Sequence, residues 1–505
     1  MILIVDFGSQ TCHLISRRLK DLGVETAIVD PEKILFEIKK HKPKGIIFSG
    51  GPASVYEKNA PTITRGVFHL HIPILGICYG WQLTSYLLNG NVKSGKKEYG
   101  PANLKINKNN ALLANIDRYS KVWVSHGDTV FAMPKGFNSL AETEDVQFAA
   151  SVNEEKKIYG IQFHPEIEHT KFGIELLNNF ALNICKEKVK KHDIHISDIV
   201  DSIKKEVGNG RVICAVSGGV DSTVAATLVA KAIGKKLYPI YVESGLMRIG
   251  TKEEVIKNFK KHFKVNPIII DAKNEFLKRL KGAKDAETKR RIIGKVYIDL
   301  FENESKKLKG VTHLMQGTIY SDVIESKGSK NADKIKSHHN VGGLPEKLHL
   351  KLLEPLRFFY KDEVRKIGKQ LELPDDMVYK QVFPGPGQAI RVVGEVTPER
   401  LERQQLADQI LVEEIRKADL YNKVYMSFPV MTNTVSTCVK GDARQLLEVV
   451  ALRIIESSDV MSTDWAKLPY DLLQRISSRI VNEVPGVSRV VYDITTKPPA
   501  TMEWE

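Results

Sequence analysis

Ile74-Leu75-Gly76-Ile77-Cys78-Tyr79-Gly80-Trp81-Gln82 decides how the first third of this chain folds. The apolar run Ile74–Ile77 predicts a buried strand, and the pattern from Trp81 to Leu88 predicts a helix. Gly76 and Gly80 flank Cys78, so the chain can turn sharply from strand to helix and expose the sulfur at the turn. The start of the following helix favours a thiolate, the attacking form of this side chain. Taken alone, a cysteine at an apolar strand end is more simply a small core residue. The surrounding residues decide between the two readings.

The same pattern recurs outward from this turn. Ile2–Asp6 predicts a first strand and Thr11–Leu22 the helix after it; Gly45–Phe48 is another buried run, and Val122–Val124 and Tyr159–Phe163 extend the set. Short strands alternating with helices and ending in glycine-containing turns predict an α/β domain on a mostly parallel sheet. Gln162-Phe163-His164-Pro165-Glu166 then places a His and a Glu at alternate positions of an extended end. Alternate residues of extended chain point the same way, and Pro165 keeps His164 extended. His164 is therefore the candidate general base for Cys78, with Glu166 orienting its imidazole. Ser49-Gly50-Gly51-Pro52 can aim a backbone N–H at a developing oxyanion, with the Tyr79 N–H as second donor.

Lys186 to Lys205 is polar, and predicts a linker followed by a solvent-facing helix. A second α/β unit then begins with strand Val212–Val216, helix Thr223–Ala232 and strand Leu237–Val242. Between its first strand and helix lies Ser217-Gly218-Gly219-Val220-Asp221-Ser222, whose small residues let backbone N–H groups approach an oxyanion at a helix N-terminus. Gly-Lys-Ser/Thr is missing, so this is not a Walker A loop. Asp322 and Glu325, three apart, would share a helix face and could hold Mg2+. Lys327 and Lys336 can neutralise leaving phosphate, and Gly342-Gly343 can hinge a lid, although an isolated Lys is more simply a solvated charge. Phe383-Pro384-Gly385-Pro386-Gly387 breaks the chain. Helix Pro398–Arg416 and strand Arg489–Ile494 beyond it predict a third, α+β unit.

A length of 505 residues suits about three domains, and 42% hydrophobic with 27% charged residues is ordinary for a soluble protein. The net charge of +14 comes from scattered Lys rather than blocks, apart from Lys186 to His192. No RNA-binding aromatic signature or zinc-finger spacing accompanies it, so no nucleic-acid partner is expected. The five cysteines, Cys12, Cys78, Cys185, Cys214 and Cys438, are odd in number and form no CxxC pair, which argues against disulfides and zinc and fits a reducing cytoplasm. Met1 to Gly8 has no basic leader, and no apolar run reaches about 18 residues, so no membrane span is expected.

Gly-Gly-Pro, Gly-Ile-Cys-Tyr-Gly-x-Gln and His-Pro-Glu, in this order, resemble the class I (triad) glutamine amidotransferases. The resemblance implies that Cys78 attacks the glutamine side-chain amide, giving a thioester and ammonia. It also implies that Gln82 and Ser125-His126-Gly127-Asp128 line the glutamine site, with Trp81 standing where Met is usual. Ser-Gly-Gly-x-Asp-Ser resembles the loop of ATP pyrophosphatases, which cleave ATP to AMP and pyrophosphate. Gln316 to Ser326, Ile335 to Pro345 (with Lys336, His338 and His339), Phe383 to Gly387 and Arg489 to Glu505 resemble the family of GMP synthases over the whole chain.

That family resemblance implies an α/β protein of several parts: a class I amidotransferase domain (1–187), a linker (188–207), a Rossmann-like ATP-pyrophosphatase domain (208–383) and an α+β dimerisation domain (384–505). Its implied substrates are glutamine, ATP with Mg2+, and xanthosine monophosphate (XMP), and its implied assembly is a homodimer. Implied ATP contacts are Ser217 to Ser222, Val242, Gln316, Gly317 and Thr318. Implied XMP contacts are Pro384, Gly385, Pro386, Gly387, Arg489, Lys497 (at the phosphate), Thr501 and Glu503 (near the base). The chain departs from the pattern at Glu243, where Asp is usual, and at Gln381 and Gln388, where a His and a Leu are expected. Competing readings are another ATP pyrophosphatase, such as an NAD synthetase or a tRNA-thiolating enzyme, and a basic nucleic-acid-binding protein on an inactive amidotransferase fold. The intact Cys78, His164 and Glu166 set opposes the last.

Overall fold

The computed structural model describes residues 1–9, 11–190, 194–263, 266–327, 349–440, 442–457, 463–497 and 499–505, with the backbone only at 263 and 324–327. Lys336, His338, His339 and the Gly342-Gly343 hinge lie outside the described residues, as do the side chains of Glu325 and Lys327.

Four-residue apolar runs build the first sheet. Its strands are β1 (Ile2–Val5), β2 (Thr26–Val29), β3 (Gly45–Phe48), β4 (Ile74–Ile77), β5 (Asn91–Ile106), β6 (Tyr119–Ala132), β7 (Asn138–Glu142), β8 (Ala150–Asn153) and β9 (Ile158–Ile161), in the order β2-β1-β3-β4-β9-β8-β7-β5-β6. Residues of β1, β3 and β4 alternate between two cores. Ile2, Ile4, Ile47, Leu75 and Ile77 enter one, and Leu3, Val5, Ile46, Phe48 and Ile74 the other. Strands β1, β3, β4 and β9, buried on both faces, pair in parallel, and the half-buried edge strand β2 joins them in the same sense. The remaining strands, β8, β7, β5 and β6, continue the sheet antiparallel. The expected mostly parallel sheet is thus parallel in one half only. The long β5 exposes many of its residues to water, as an antiparallel extension can.

The second sheet holds β10 (Arg211–Ala215), β11 (Leu237–Glu243), β12 (Ile268–Asp271), β13 (Val311–Met315) and β14 (Lys351–Leu353), all parallel, in the order β12-β11-β10-β13-β14. The chain winds outward from β10 in both directions, so the loop after β10 sits at a topological switch point, where such sheets bind ligands. The helix Ile196–Val207 does not simply face solvent, as its polar composition suggested. Val200, Ile203 and Val207, at helical spacing, are buried with Val212, Cys214, Val224 and Leu228, so the helix is a layer of this second unit.

The third sheet places β15 (Met426–Lys440), β16 (Ala443–Glu456) and β17 (Asp464–Trp465) antiparallel, with β18 (Val487–Tyr492) parallel to β16. One apolar cluster runs from Ile213 and Ile240 through Leu246, Ala389 and Leu411 to Val450 and Ile476. The second and third units therefore share a core across the Phe383–Gly387 break. The first unit docks through its helix Cys12–Asp21. His13 Nδ1 lies 2.9 Å from the Tyr320 hydroxyl, and Arg17 reaches Asp362 at 2.7 Å and Glu363 at 2.9 Å. No helix among the described residues is long and apolar enough to cross a membrane.

Candidate active sites

Cys78 sits between β4 and the helix Tyr79–Leu87 with φ 52° and ψ −108°. An L-residue adopts that conformation only when its surroundings force it. The Cys78 N–H donates to the Ile161 carbonyl (2.8 Å) and the Gly80 N–H to the Ser49 carbonyl (3.1 Å), which anchors the turn to β9 and β3. A Cβ on Gly80 would lie 2.4 Å from the Phe48 carbonyl oxygen, so only glycine passes there. Tyr79 opens the helix, where N–H groups have no intrahelical acceptor. The Gly50–Gly51 turn lies beside it: a Cβ on Gly51 would be 3.3 Å from the Tyr79 ring, and one on Gly50 3.1 Å from His164 Cε1.

His164 Nδ1 and Glu166 Oε1 are 2.8 Å apart, and both residues are buried. The same oxygen accepts from the Thr11 hydroxyl (2.6 Å), while Arg18 Nε donates to the Glu166 carbonyl (3.0 Å). The Thr170 hydroxyl fixes the His164 carbonyl at 2.6 Å. Burial disfavours the imidazolium, but the Glu166 carboxylate and hydrogen bonds to Cys78 and Glu166 outweigh it and hold the His164 pKa well above the ordinary value. The Cys78 thiol also donates to the Ser125 carbonyl at 3.7 Å and receives the Gln162 amide at 3.8 Å. Thr11 and Gln162 had not been singled out in the sequence. Gln162 stands two before His164 on the same face, a signal that was available.

The Ser125–Asp128 segment closes this site. Gln82, expected at the glutamine, donates its amide to the Asp128 carbonyl (2.7 Å) and so supports the segment. Tyr56 donates to the Asp128 carboxylate at 3.0 Å. His126 is buried; desolvation and then the His164 charge push its pKa down to about 4.

The second site follows β10. Gly218 has φ 77°, and Val220 starts the helix Val220–Ile233. The Ser222 hydroxyl donates to the Gly219 carbonyl (3.1 Å) and lies 3.2 Å from that of Ser217. Gln316 to Thr318 runs against this loop, since a Cβ on Gly317 would be 2.7 Å from the Ser222 nitrogen. Val242 is buried near the end of β11, and Glu243 accepts the Gly245 N–H at 3.2 Å. Two lysines missed in the sequence meet the loop. Lys361 Nζ is 2.8 Å from both Asp221 oxygens, and Lys380 Nζ donates to the Gly218 carbonyl (3.2 Å) and to Glu254 (2.9 and 2.7 Å). Lys361 opens the helix Lys361–Gln370, but no local pattern distinguishes it from other surface lysines.

Asp322 Oδ2 accepts the Ile319 N–H at 3.0 Å, fastening the start of the helix Tyr320–Lys327. Among the described residues no three His, Cys, Asp or Glu gather as a metal cage. Mg2+ keeps several waters and takes phosphate oxygens beside one or two carboxylates, so a cage is not required. Asp221 stands at the loop, a quarter exposed, with both oxygens on Lys361.

The Pro384–Gly387 turn packs on the second unit: Gly387 has φ 68°, its Cβ would be 2.4 Å from the Leu246 carbonyl oxygen, and the Gln388 N–H donates there at 2.7 Å. The C-terminal stretch is clamped by buried arginines. Arg391 makes two 3.1 Å contacts to Glu503, and Arg453 reaches Asp493 (2.6 Å) and the carbonyls of Thr495, Thr501 and Met502. Glu503 is thus paired with Arg391, Lys497 pairs through its backbone with Thr463, and Arg489 stands exposed on β18. Thr501 donates to the Glu503 carbonyl at 2.5 Å. Gln381 and Gln388 are buried; the first accepts from Ser427 and donates to the Tyr421 carbonyl, and the second accepts from Gln404. Arg248, another residue not singled out, pairs with Asp408 at 2.7 and 3.1 Å.

The family profile described as glutamine amidotransferase class-I matches residues 3–184, and that described as GMP synthase C terminal domain matches residues 413–504. A glutamine-hydrolyzing GMP synthase of Aquifex aeolicus (strain VF5) is 51% identical over 506 residues, covering 100% of this chain and 99% of the relative. Enzymes of the same name from Caldicellulosiruptor saccharolyticus (50% over 508 residues) and Caldanaerobacter subterraneus subsp. tengcongensis (49% over 506 residues) cover 100% of this chain and 99% of themselves.

Proposed function

The chain belongs to the family of glutamine-hydrolysing GMP synthases, and on that premise we propose how its residues divide the work. It is a ligase that uses the amide nitrogen of glutamine to make GMP in purine biosynthesis. The NAD synthetase alternative is dropped, because the full-length relatives are GMP synthases and residues 413–504 match that family's own domain.

The cluster of Cys78, His164 and Glu166 carries the glutaminase reading. The Cys78 sulfur attacks the glutamine amide carbon while His164 takes the thiol proton; Glu166 holds the ring at 2.8 Å and stabilises its charge. The Gly51 and Tyr79 N–H groups receive the oxyanion. His164 returns the proton to the leaving nitrogen, ammonia departs, and water hydrolyses the Cys78 thioester to glutamate. At the second site the Ser217–Ser222 loop, Gln316, Gly317, Thr318 and Val242 bind ATP, and Lys361 and Lys380 compensate phosphate charge. The Mg2+ that accompanies ATP screens the phosphates and would be held on the protein side by Asp221. The XMP O2 displaces pyrophosphate to give adenyl-XMP, and ammonia then displaces AMP. XMP contacts are assigned to Pro384–Gly387, Arg489, Lys497, Thr501 and Glu503.

Val435, Val439 and Leu446 are 63%, 73% and 66% exposed on the outer β15–β16 hairpin, an uncovered apolar stripe that supports a homodimer. Five free cysteines support a cytoplasmic location. Incubation with ATP, Mg2+, glutamine and XMP should yield GMP, AMP, pyrophosphate and glutamate. No GMP from either glutamine or ammonium salts defeats the assignment.

A further inference from the structure

The helix Cys12–Asp21 begins at Thr11, a residue type that ordinarily caps its own helix by taking a first-turn N–H on its hydroxyl oxygen. Here the side chain makes no capping bond. The hydroxyl reaches instead to Glu166 Oε1, 2.6 Å away and 155 residues along the chain. Among the described residues the Glu166 carboxylate has two side-chain partners, Thr11 and His164 Nδ1 at 2.8 Å, and both meet the same oxygen. The other oxygen, Oε2, is buried and has no hydrogen bond. A carboxylate held on one oxygen is oriented by the donors that reach that oxygen. An ionised carboxylate only accepts, so the Thr11 proton lies toward Glu166. The Ser9 hydroxyl, 2.8 Å from Thr11 Oγ1, then donates to it, while Ser9 Oγ takes the Thr11 N–H at 3.1 Å. Each hydroxyl in such a chain polarises the next. Ser9 also lies against the Gly50–Gly51 turn: a Cβ on Gly50 would be 3.3 Å from Ser9 Oγ and 3.1 Å from His164 Cε1.

We propose that Thr11 is a positioning residue of the glutaminase centre: its hydroxyl fixes the Glu166 carboxylate, and through Oε1 the orientation of the His164 ring toward Cys78. This rests on the glutaminase reading above. His164 takes the thiol proton and later returns it to the leaving nitrogen, so its ring has to face the sulfur through both transfers. Two donors converge on Oε1 from different parts of the chain, and the carboxylate cannot turn without breaking one of them. With His164 as the only donor, carboxylate and ring would turn together as a pair, and the base would leave its line to the sulfur. Glu166 and His164 stand between Thr11 and Cys78, so the hydroxyl acts on turnover and not on glutamine affinity. The missing cap is the sign of this role: a side chain suited to its own helix start is committed to a distant carboxylate.

The test separates the hydroxyl from the packing. Thr11→Val keeps the size and branching and drops the hydroxyl; Thr11→Ser keeps the hydroxyl and drops the methyl. Both are made in the full chain and assayed for glutamate release and GMP formation with ATP, Mg2+ and XMP saturating, and for alkylation of Cys78 by iodoacetamide against a Cys78→Ala background. Loss of a hydrogen bond to a charged group should lower kcat with glutamine roughly 10- to 100-fold in Thr11→Val, with KM within about twofold and slower alkylation. Thr11→Ser should keep kcat within about threefold, and ammonium-driven GMP formation should be unchanged in both. A role in packing alone predicts the reverse order, with Thr11→Val normal and Thr11→Ser impaired. That order, or an unchanged kcat in folded Thr11→Val, overturns the proposal. An equal loss of the ammonium-driven rate overturns it too, because it places the effect in the docking of the helix. If Thr11→Val does not fold, Thr11→Ala against Thr11→Ser gives the same comparison with and without the hydroxyl. Failure of the unsubstituted enzyme to release glutamate at all would instead defeat the glutaminase reading beneath it.

Discussion

Arg17→Met removes the Arg17 ion pairs between the two halves while leaving the proposed reacting groups and the His13 contacts to Tyr320 and Tyr360 in place. The Arg17 side chain is 8% exposed and contacts Asp362 at 2.7 Å, Glu363 at 2.9 Å and, within its own helix, Asp21 at 2.8 Å. Its guanidinium also lies 4.6 Å from the centre of the Tyr360 ring. Asp362 and Glu363 are 53% and 25% exposed, so each ion pair across the interface contributes only about 0.5–1 kcal/mol. The stack on Tyr360 adds about 0.5–1 kcal/mol. Methionine keeps most of the stem's packing, which puts the lost docking energy at about 2 kcal/mol. The helix carrying Arg17 begins beside Thr11, which holds Glu166 of the triad, and its partners follow Lys361, which holds Asp221 of the phosphate loop. Occupation of the second site can therefore bias the first through this helix. The assay is glutamate release with glutamine alone, with ATP, and with ATP plus XMP. Stimulation by the nucleotides should fall by up to about 30-fold, the equivalent of about 2 kcal/mol, with ammonium-driven GMP formation retained. Full stimulation in a folded Arg17→Met enzyme refutes the helix as the route.

Cys78→Ala should abolish GMP formation from glutamine and spare formation from ammonium, because the thiol serves only the first reaction; loss of both in a folded protein counts against the division of labour. Asp221→Ala and Lys361→Met should each lower both activities by about 100-fold or more, because the nucleotide site is shared and losing a site-organising charge costs a few kcal/mol. Either variant keeping most of its ammonium-driven rate removes that residue from the site. His126, at about 4 in the fold against 6.5 unfolded, binds its proton first in the unfolded chain. Its contribution to stability is complete above pH 6.5 and is lost as the pH falls toward 4, by about 3 kcal/mol at most. His126→Gln should flatten the slope of denaturant-measured stability in that window; an unaltered slope contradicts the buried neutral ring.

Each chemical turn was legible in the sequence because its information is local. The Gly-x-Cys-x-Gly elbow, the His164-Pro165-Glu166 end and the Ser217–Ser222 loop each follow one apolar run, and glycine spacing and period-two geometry suffice to read them. Strand-like runs at Ile2–Val5 and Val212–Val216 mark the first two units, and the Phe383–Gly387 break precedes the third. Composition misled at Ile196–Val207, where polar residues hide three apolar ones on a single helical face. The Gln82 position was found, but its side chain supports Asp128 rather than standing free.

What only the tertiary structure decided is how the turns are completed. Thr11 reaches Glu166 across 155 residues, Lys361 reaches Asp221 across 140, Lys380 reaches Gly218 across 162 and Arg391 reaches Glu503 across 112. Glu98 and His126 meet only because two antiparallel strands fix their register. A lone Thr, Lys or Glu leaves no periodic trace, because its partner is chosen by the packing of sheets and helices far along the chain. The sequence alone determined where each candidate centre turns; the folded core determined which distant groups hold it in place, since burial is what makes leaving a polar or charged group unpaired so costly.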